Sequence, residues 1–206
     1  MTELDRHAHW QNVYQTRGEQ EVSWSQPQPE PSLGLIERFA PGRNAAIVDI
    51  GGGASRLVDA LLERGHEAVT VLDLSEAALG SARERLGARA ASVRWVAADV
   101  TRWQPPDAFD IWHDRAAFHF LVDARDRAAY IERLHRGVKG GGHAIIATFA
   151  LDGPEKCSGL PVQRYDHVAL GAALGADFEL VHHQPHHHVT PWGAAQSFQF
   201  SVLRRK

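Results

Sequence analysis

An α/β fold is predicted, built on seven strands in a mostly parallel sheet with the last strand antiparallel and helices on both faces. Three observations predict it. Short apolar runs alternate with amphipathic stretches of helical period. A glycine-rich turn inside VDIGGGASRLVDALL, residues 48–62, joins the first strand to the first helix. The last two apolar runs have no helical stretch between them, which pairs them antiparallel. The strands fall at 46–50, 69–73, 93–97, 109–113, 143–149, 178–183 and 197–203.

Each helix has its own start and stop signals. The first begins near Ser55, carries Leu57, Val58, Leu61 and Leu62 on one stripe, and stops at Gly65. Ser75 opens the second, which turns Leu79, Ala82 and Leu86 inward and ends at Gly87. A third spans about 126–137, burying Tyr130, Ile131 and Leu134 ahead of Gly140, Gly141 and Gly142. HHQPHHHVTPWGAAQ is the connection between the last two strands. These elements make residues 46–206 one domain. Residues 1–45 differ: Trp10, Tyr14 and Trp24 stand in polar surroundings, prolines make 26–31 an extended linker, and a short amphipathic helix follows at about 32–39.

Composition bounds the function. A chain of 206 residues with 44% hydrophobic and 23% charged content suits one soluble domain with a sizeable core. Neither a membrane-length apolar run nor a secretory leader is visible, so a cytoplasmic protein that does not engage membranes is expected. The single cysteine, Cys157, excludes an internal disulfide and a cysteine-rich zinc site. With a net charge of −3 and scattered arginines, the chain has no general field for nucleic acid. A monomer or weak homodimer is expected.

The glycine turn carries the chemistry. Gly51, Gly52 and Gly53 let the backbone turn sharply and approach a ligand without Cβ interference, and the helix start aims free N–H groups at it. Asp73 ends the second strand 22 residues after Gly51, where a carboxylate accepts the hydroxyls of a ribose. NAD, FAD and S-adenosylmethionine all fit that spacing. Arg56, however, stands where a dinucleotide fingerprint has its third glycine, which argues against a pyrophosphate packed on the helix. Asp49 suits a ligand's ammonium group and would repel a pyrophosphate.

These residues resemble the class I S-adenosylmethionine-dependent methyltransferases, whose first motif is an acid followed by a GxGxG-like turn. Asp49, Gly51 and Gly53 match it, and Ser55 stands where a third glycine is common. Asp73, followed by Leu74 and Ser75, matches the ribose-binding acid; VAADVTRW at 96–103 resembles the next motif, with Asp99 facing the adenine amino group and Val100 lending a backbone N–H. FDIWHDRAAFHFL at 109–121 and LHRGVKGGGHAIIATF at 134–149 resemble the fourth and fifth strands and their flanks. The resemblance implies a Rossmann-like seven-stranded sheet, S-adenosyl-L-methionine as cofactor and S-adenosyl-L-homocysteine as product. It also assigns cofactor contacts to Asp114 and, in an N-terminal cap, to Trp10, Tyr14 and Trp24. The arm is thus either a surface anchor or a lid over the site.

Methyl transfer from a sulfonium requires alignment of the acceptor and, where a proton is present, its removal. His113, Asp114, Arg115 and His119 at the end of the fourth strand are the candidates, with Asp114 and His119 as catalytic groups. A helix over 115–121 would put Arg115 and His119 on one face; alternatively Asp114 caps that helix and His119 only packs. Cys157, Arg164 and Tyr165, on the long loop after the fifth strand, either line an acceptor pocket or cover the sheet end. His182, His183, His186, His187 and His188 alternate across a strand without carboxylates at ligand spacing, so no metal is assigned. HDRAAF has neither an Asn/Asp-Pro-Pro-aromatic segment nor a proline-cysteine pair, which makes a nucleic-acid acceptor unlikely. A small molecule is the expected acceptor. Protein lysine is the alternative, and a non-catalytic protein that binds S-adenosylmethionine or S-adenosylhomocysteine is the alternative of another class.

Overall fold

The run AIVDI forms the central strand β1 (Ala46–Ile50), buried from Ile47 onward. Burial on both faces is why it reads as nearly continuous apolar sequence rather than as alternation. A computed structural model describes residues 3–18 and 21–206. Around β1 lie β2 (Ala68–Asp73), β3 (Val93–Ala97), β4 (Phe109–Arg115) and β5 (Val138–Phe149). After a small hairpin, β6 (Lys156–Cys157) and β7 (Leu160–Pro161), come β8 (Phe178–Val189) and β9 (Ala195–Arg205). The order across the sheet is β3-β2-β1-β4-β5-β9-β8, all parallel except β9, which is antiparallel to both neighbours. The predicted architecture is therefore the one found.

Helices α2 (Ser32–Phe39), α3 (Leu57–Glu63) and α4 (Glu76–Leu86) bury Leu33, Ile36, Leu57, Leu61 and Leu79 against one face. On the other face, α5 (Ala124–Gly137) and α6 (His167–Leu174) bury Tyr130, Leu134 and Leu170 around Trp112 and Phe118. The N-terminal α1 (Glu3–Thr16) has no counterpart in the sequence reading. Among the described residues, no helix is long and apolar enough to cross a membrane.

Four local expectations are corrected. Strand β4 runs on to Arg115, Ala116 then takes φ +69°, and residues 118–120 make only a single 3-10 turn. Arg115 and His119 therefore share no helical face. Helix α5 stops at Gly137, where a Cβ would lie 2.5 Å from Trp112 Cζ3, and the strand begins at once. Pairing with β4 jumps from Phe109↔Val138 to Ile111↔His143, so the glycines read as a helix stop are a bulge within β5. The histidine-rich connection is mostly strand, and residues 190–194 suffice for the turn; Pro185 is tolerated because β8 is an edge. The linker 26–31 bends at 27–28 and turns at 30–31 instead of running extended throughout.

Tyr130 knits the second core together: its hydroxyl accepts from Trp112 Nε1 at 2.9 Å and donates to Asp114 Oδ2 at 2.7 Å, all three side chains being buried. Tyr130→Phe strands the indole N–H and removes a donor from the carboxylate. A loss of about 1–3 kcal/mol is expected in urea denaturation, and an unchanged midpoint would show that neither bond contributes.

Candidate active site

The site lies at the carboxyl ends of β1, β2, β3 and β4, where an open parallel sheet leaves its crevice. The turn after β1 is held down by Gly51 and Gly52, whose N–H groups both donate to the Leu72 carbonyl at 2.8 and 3.2 Å. Gly51 takes φ +68°, as a residue without Cβ can do freely. At Gly52 the demand is space: a Cβ there would lie 2.6 Å from Asp49 Oδ2 and 2.7 Å from Val71 Cγ1. Ser55 Oγ accepts from the Leu57 N–H at 3.1 Å, so it closes the turn two residues ahead of α3 rather than starting the helix itself.

Three buried carboxylates surround this turn. Asp49 Oδ1 lies 2.7 Å from His113 Nδ1, and His113 Nε2 lies 2.8 Å from Ser32 Oγ on α2, so both ring nitrogens are engaged. Asp73 accepts the Ser75 N–H at 2.8 Å; burial, partly offset by such backbone bonds, pushes its pKa up to about 7, with the nearby charge of Asp49 adding to the rise. Asp99 accepts from the Thr101 N–H and hydroxyl at 2.8 and 2.7 Å and pairs with Arg6 of α1 at 2.9 Å. Although burial opposes it, these bonds hold its carboxyl below the usual range.

The N-terminal arm contributes residues to the wall of the crevice. Arg6, 7% exposed, bridges Asp99 and Asp126. Gln11 accepts from Ser75 Oγ at 3.0 Å, and Tyr14 packs on the glycine turn, where a Cβ on Gly53 would lie 2.9 Å from its hydroxyl. Trp10 contacts the rings of Trp24 and Phe120 edge-on at 5.6 and 5.0 Å between centroids, and Tyr14 meets Trp24 at 6.1 Å. The Trp24 carbonyl accepts from Arg115 at 2.8 Å.

Of the residues singled out by sequence, Trp10, Tyr14, Trp24, Asp49, Gly51, Gly52, Ser55, Asp73, Leu74, Asp99 and Val100 line one cavity, together with His113, Arg115 and Cys157. Ser75 lies behind it, capping α4 by accepting the Ala78 N–H. Asp114 is fully buried and accepts from the Ala117 and Phe118 N–H groups and from Tyr130, so it fixes the turn after β4 and leaves Arg115 to other partners. Burial lifts its carboxyl to about 6. His119 is wedged between Phe120 and Phe149 with no exposure, and burial drops its pKa to about 3; its ring stays neutral and off the cavity wall. Arg164 binds the Gly153 carbonyl and Glu155, and Tyr165 joins the second core; of that loop only Cys157 reaches the cavity. Arg6, Ser32, Phe120 and Phe198 were missed, and nothing local in the sequence marks them.

Residues 47–142 match a family model described as a methyltransferase domain. The matched span is the part of the chain that holds the glycine turn and the three acids. It is 31% identical over 127 residues to malonyl-[acyl-carrier protein] O-methyltransferase of Paenibacillus sp. (strain JDR-2), covering 58% of this chain and 45% of that one. With trans-aconitate 2-methyltransferase of Rhizobium leguminosarum bv. trifolii it shares 28% identity over 188 residues, 91% of this chain and 61% of the relative. The chain thus spans less than two thirds of the length of these curated relatives. Among solved structures, Burkholderia thailandensis 1,6-didemethyltoxoflavin-N1-methyltransferase, with its acceptor and S-adenosylhomocysteine bound, superposes with a TM-score of 0.69 at 22% identity, covering 98% of this chain and 85% of that one. The N-methyltransferase NodS of Bradyrhizobium japonicum WM9, in complex with S-adenosylhomocysteine, gives 0.70 at 17% identity, with 94% and 98% covered. Both carry the same fold as this chain.

The turn makes its own forecast. Gly52→Ala must displace Asp49 or Val71, and a destabilisation of about 1–3 kcal/mol is expected by denaturant titration; a neutral result would mean that the turn relaxes freely.

Proposed function

We propose that this protein is an enzyme that transfers the methyl group of S-adenosylmethionine to a small-molecule acceptor. The observation that carries the reading is the pair of buried acids, Asp49 and Asp73, flanking a turn that has no room for Cβ atoms. When bound, the cofactor supplies an activated methyl group on a positively charged sulfur. In this reading Asp73 accepts the ribose hydroxyls, Asp49 faces the ammonium group, Gly51–Gly53 bring the backbone close, and Leu74, Asp99 and Val100 form the adenine wall. Trp10, Tyr14 and Trp24 form a lid that keeps water out, Arg6 latches it onto Asp99, and residues beyond the linker belong to the catalytic domain. Support for a small acceptor comes from relatives named for trans-aconitate and from the toxoflavin enzyme above. Asp114 and His119 are left out of the chemistry, because both are buried away from the cavity.

Calorimetry with S-adenosylhomocysteine tests this directly. Binding is expected, and NAD should not bind; the reverse result overturns the assignment. The ionised form of Asp73 is the better acceptor of ribose hydroxyls, so binding favours its deprotonation. Because the free protein holds that carboxyl at about 7, affinity should rise by about tenfold between pH 6 and 8 with proton release. Asp73→Asn should abolish that slope and cost about 1.5–3 kcal/mol of binding. A flat profile in the parent protein would place the ribose elsewhere.

Trp10→Ala removes the ring that joins Trp24 to Phe120. If the arm is a lid, S-adenosylhomocysteine should dissociate faster and bind about tenfold more weakly, at about 0.5–1.5 kcal/mol per aromatic pair. Unaltered affinity would return the arm to surface packing.

A further inference from the structure

A second cavity adjoins the first and shares Tyr14, Trp24, Pro29, Ser55 and Arg115 with it as wall. Arginines dominate its charged lining: Arg17, Arg56, Arg85 and Arg115 stand against one acid, Glu84. They are not equivalent. Arg85 is neutralised by a two-pronged pair with Asp59 at 2.7 and 3.1 Å. Arg115, at the end of β4, is half-buried, donates to the Trp24 carbonyl, and lies over the Phe198 ring at 5.9 Å. Among the described residues no carboxylate comes within ion-pair distance of it. Burial draws its pKa down to about 10, an effect that the more distant charge of Asp49 only partly offsets, so this guanidinium is desolvated without a paired carboxylate. The same deficit makes it a strong receptor for an anion, because the forked donors of arginine match a carboxylate.

The proton chemistry of the first cavity points the same way. His113 has both ring nitrogens bonded, and Asp49 and Asp99 are committed to His113 and Arg6. Burial pushes the Cys157 thiol up to about 11 and the Tyr14 phenol higher still. Asp73 is the ribose acid of the proposed function. An acceptor that must lose a proton finds no uncommitted base among these groups. An acceptor that arrives ionised needs none.

We infer that the acceptor is a small organic acid whose carboxylate is held by Arg115 at the wall between the two cavities. The inference rests on the S-adenosylmethionine reading above. In the transfer, a lone pair of the carboxylate oxygen forms the new bond to the methyl carbon while the sulfur–methyl bond breaks and its electron pair stays on sulfur. The carboxylate and sulfonium charges cancel, a methyl ester and a thioether result, and no proton is released. Arg115 orients the oxygen; Trp24, through its carbonyl, orients Arg115.

The test uses the full chain at saturating S-adenosylhomocysteine. Succinate and tricarballylate are titrated against succinamide, a neutral analogue of similar shape, with the parent protein, Arg115→Lys and Arg115→Met. The parent is expected to bind at least one acid tenfold or more tightly than succinamide. Both variants should collapse that ratio while retaining cooperative thermal unfolding, which a merely structural arginine would not explain. In a second arm, the protein is given methyl-radiolabelled S-adenosylmethionine and the small-molecule fraction of a lysate. Label that appears in product should be released as volatile methanol by mild alkali, the signature of an ester. Equal binding of succinate and succinamide, a ratio unmoved in both variants, or alkali-stable label would overturn the inference. Failure of S-adenosylhomocysteine to bind at all would instead overturn the cofactor reading on which it rests.

Discussion

The chain must pass from the end of β1 across the end of β2 in a space bounded by Asp49, Val71 and Asp73, and it can do so only where side chains are absent. Both Gly51 and Gly52 spend their N–H groups on the Leu72 carbonyl, which clamps the turn to the neighbouring strand. Inserting even one methyl group at Gly52 would overlap a carboxylate oxygen at 2.6 Å. With the turn pressed flat, Ser55 can close it and α3 can begin over the sheet. The two acids remain buried at its edges, where desolvation and mutual repulsion keep Asp73 near neutrality. Asp49 is held in place by His113, itself braced by Ser32 from α2. A segment read as a pre-domain helix is thus part of the support for the central acid.

The arm depends on the same edge. From α1 and the turn after it, Gln11 reaches Ser75 beyond β2, Arg6 reaches Asp99 beyond β3, and the Trp24 carbonyl reaches Arg115 at the end of β4. Each is a polar contact, and a net contribution of about 1 kcal/mol apiece is modest against the entropy of ordering a terminal segment. The aromatic contacts of Trp10 with Trp24 and Phe120 and the burial of Val13 and Val22 supply the apolar part. Few side chains of this segment are buried for its length, so its attachment rests on these contacts with the sheet edge.

What was legible in the sequence was what local pattern encodes. The number and positions of the strands and the antiparallel last strand follow from alternating runs, and the glycine turn, Asp73 and the Ser75 cap follow from fixed offsets within one βαβ unit. The errors share one cause, which is tertiary contact overriding a local signal. Three glycines at 140–142 look like a helix stop, but the steric conflict lies at Gly137 against Trp112, distant in sequence. Histidines and a proline at 182–188 look like loop, yet pairing with β9 makes them an edge strand. His113–Ser32 and Arg6–Asp99 span 81 and 93 residues, and no periodicity or spacing rule registers such pairs.

Charge is divided across the crevice. Asp49, Asp73 and Asp99 cluster at the ends of β1, β2 and β3, whereas Arg115 stands in the wall that the two cavities share and Arg17, Arg56 and Arg85 line the second cavity. Arg6 enters the acidic side, where Asp99 and Asp126 match it, and Arg115 borders that side without an ion-pair partner among the described residues. Such a separation places negative potential where a sulfonium and an ammonium would lie and positive potential where their reaction partner would approach. Trp10, Trp24, Phe120 and Phe198 give the site an apolar wall, beside which these fields are screened less than those of the same charges at an open surface. In the proposed reading, the aromatic wall and this handful of fixed charges together would favour a cationic donor on one side and an anionic partner on the other.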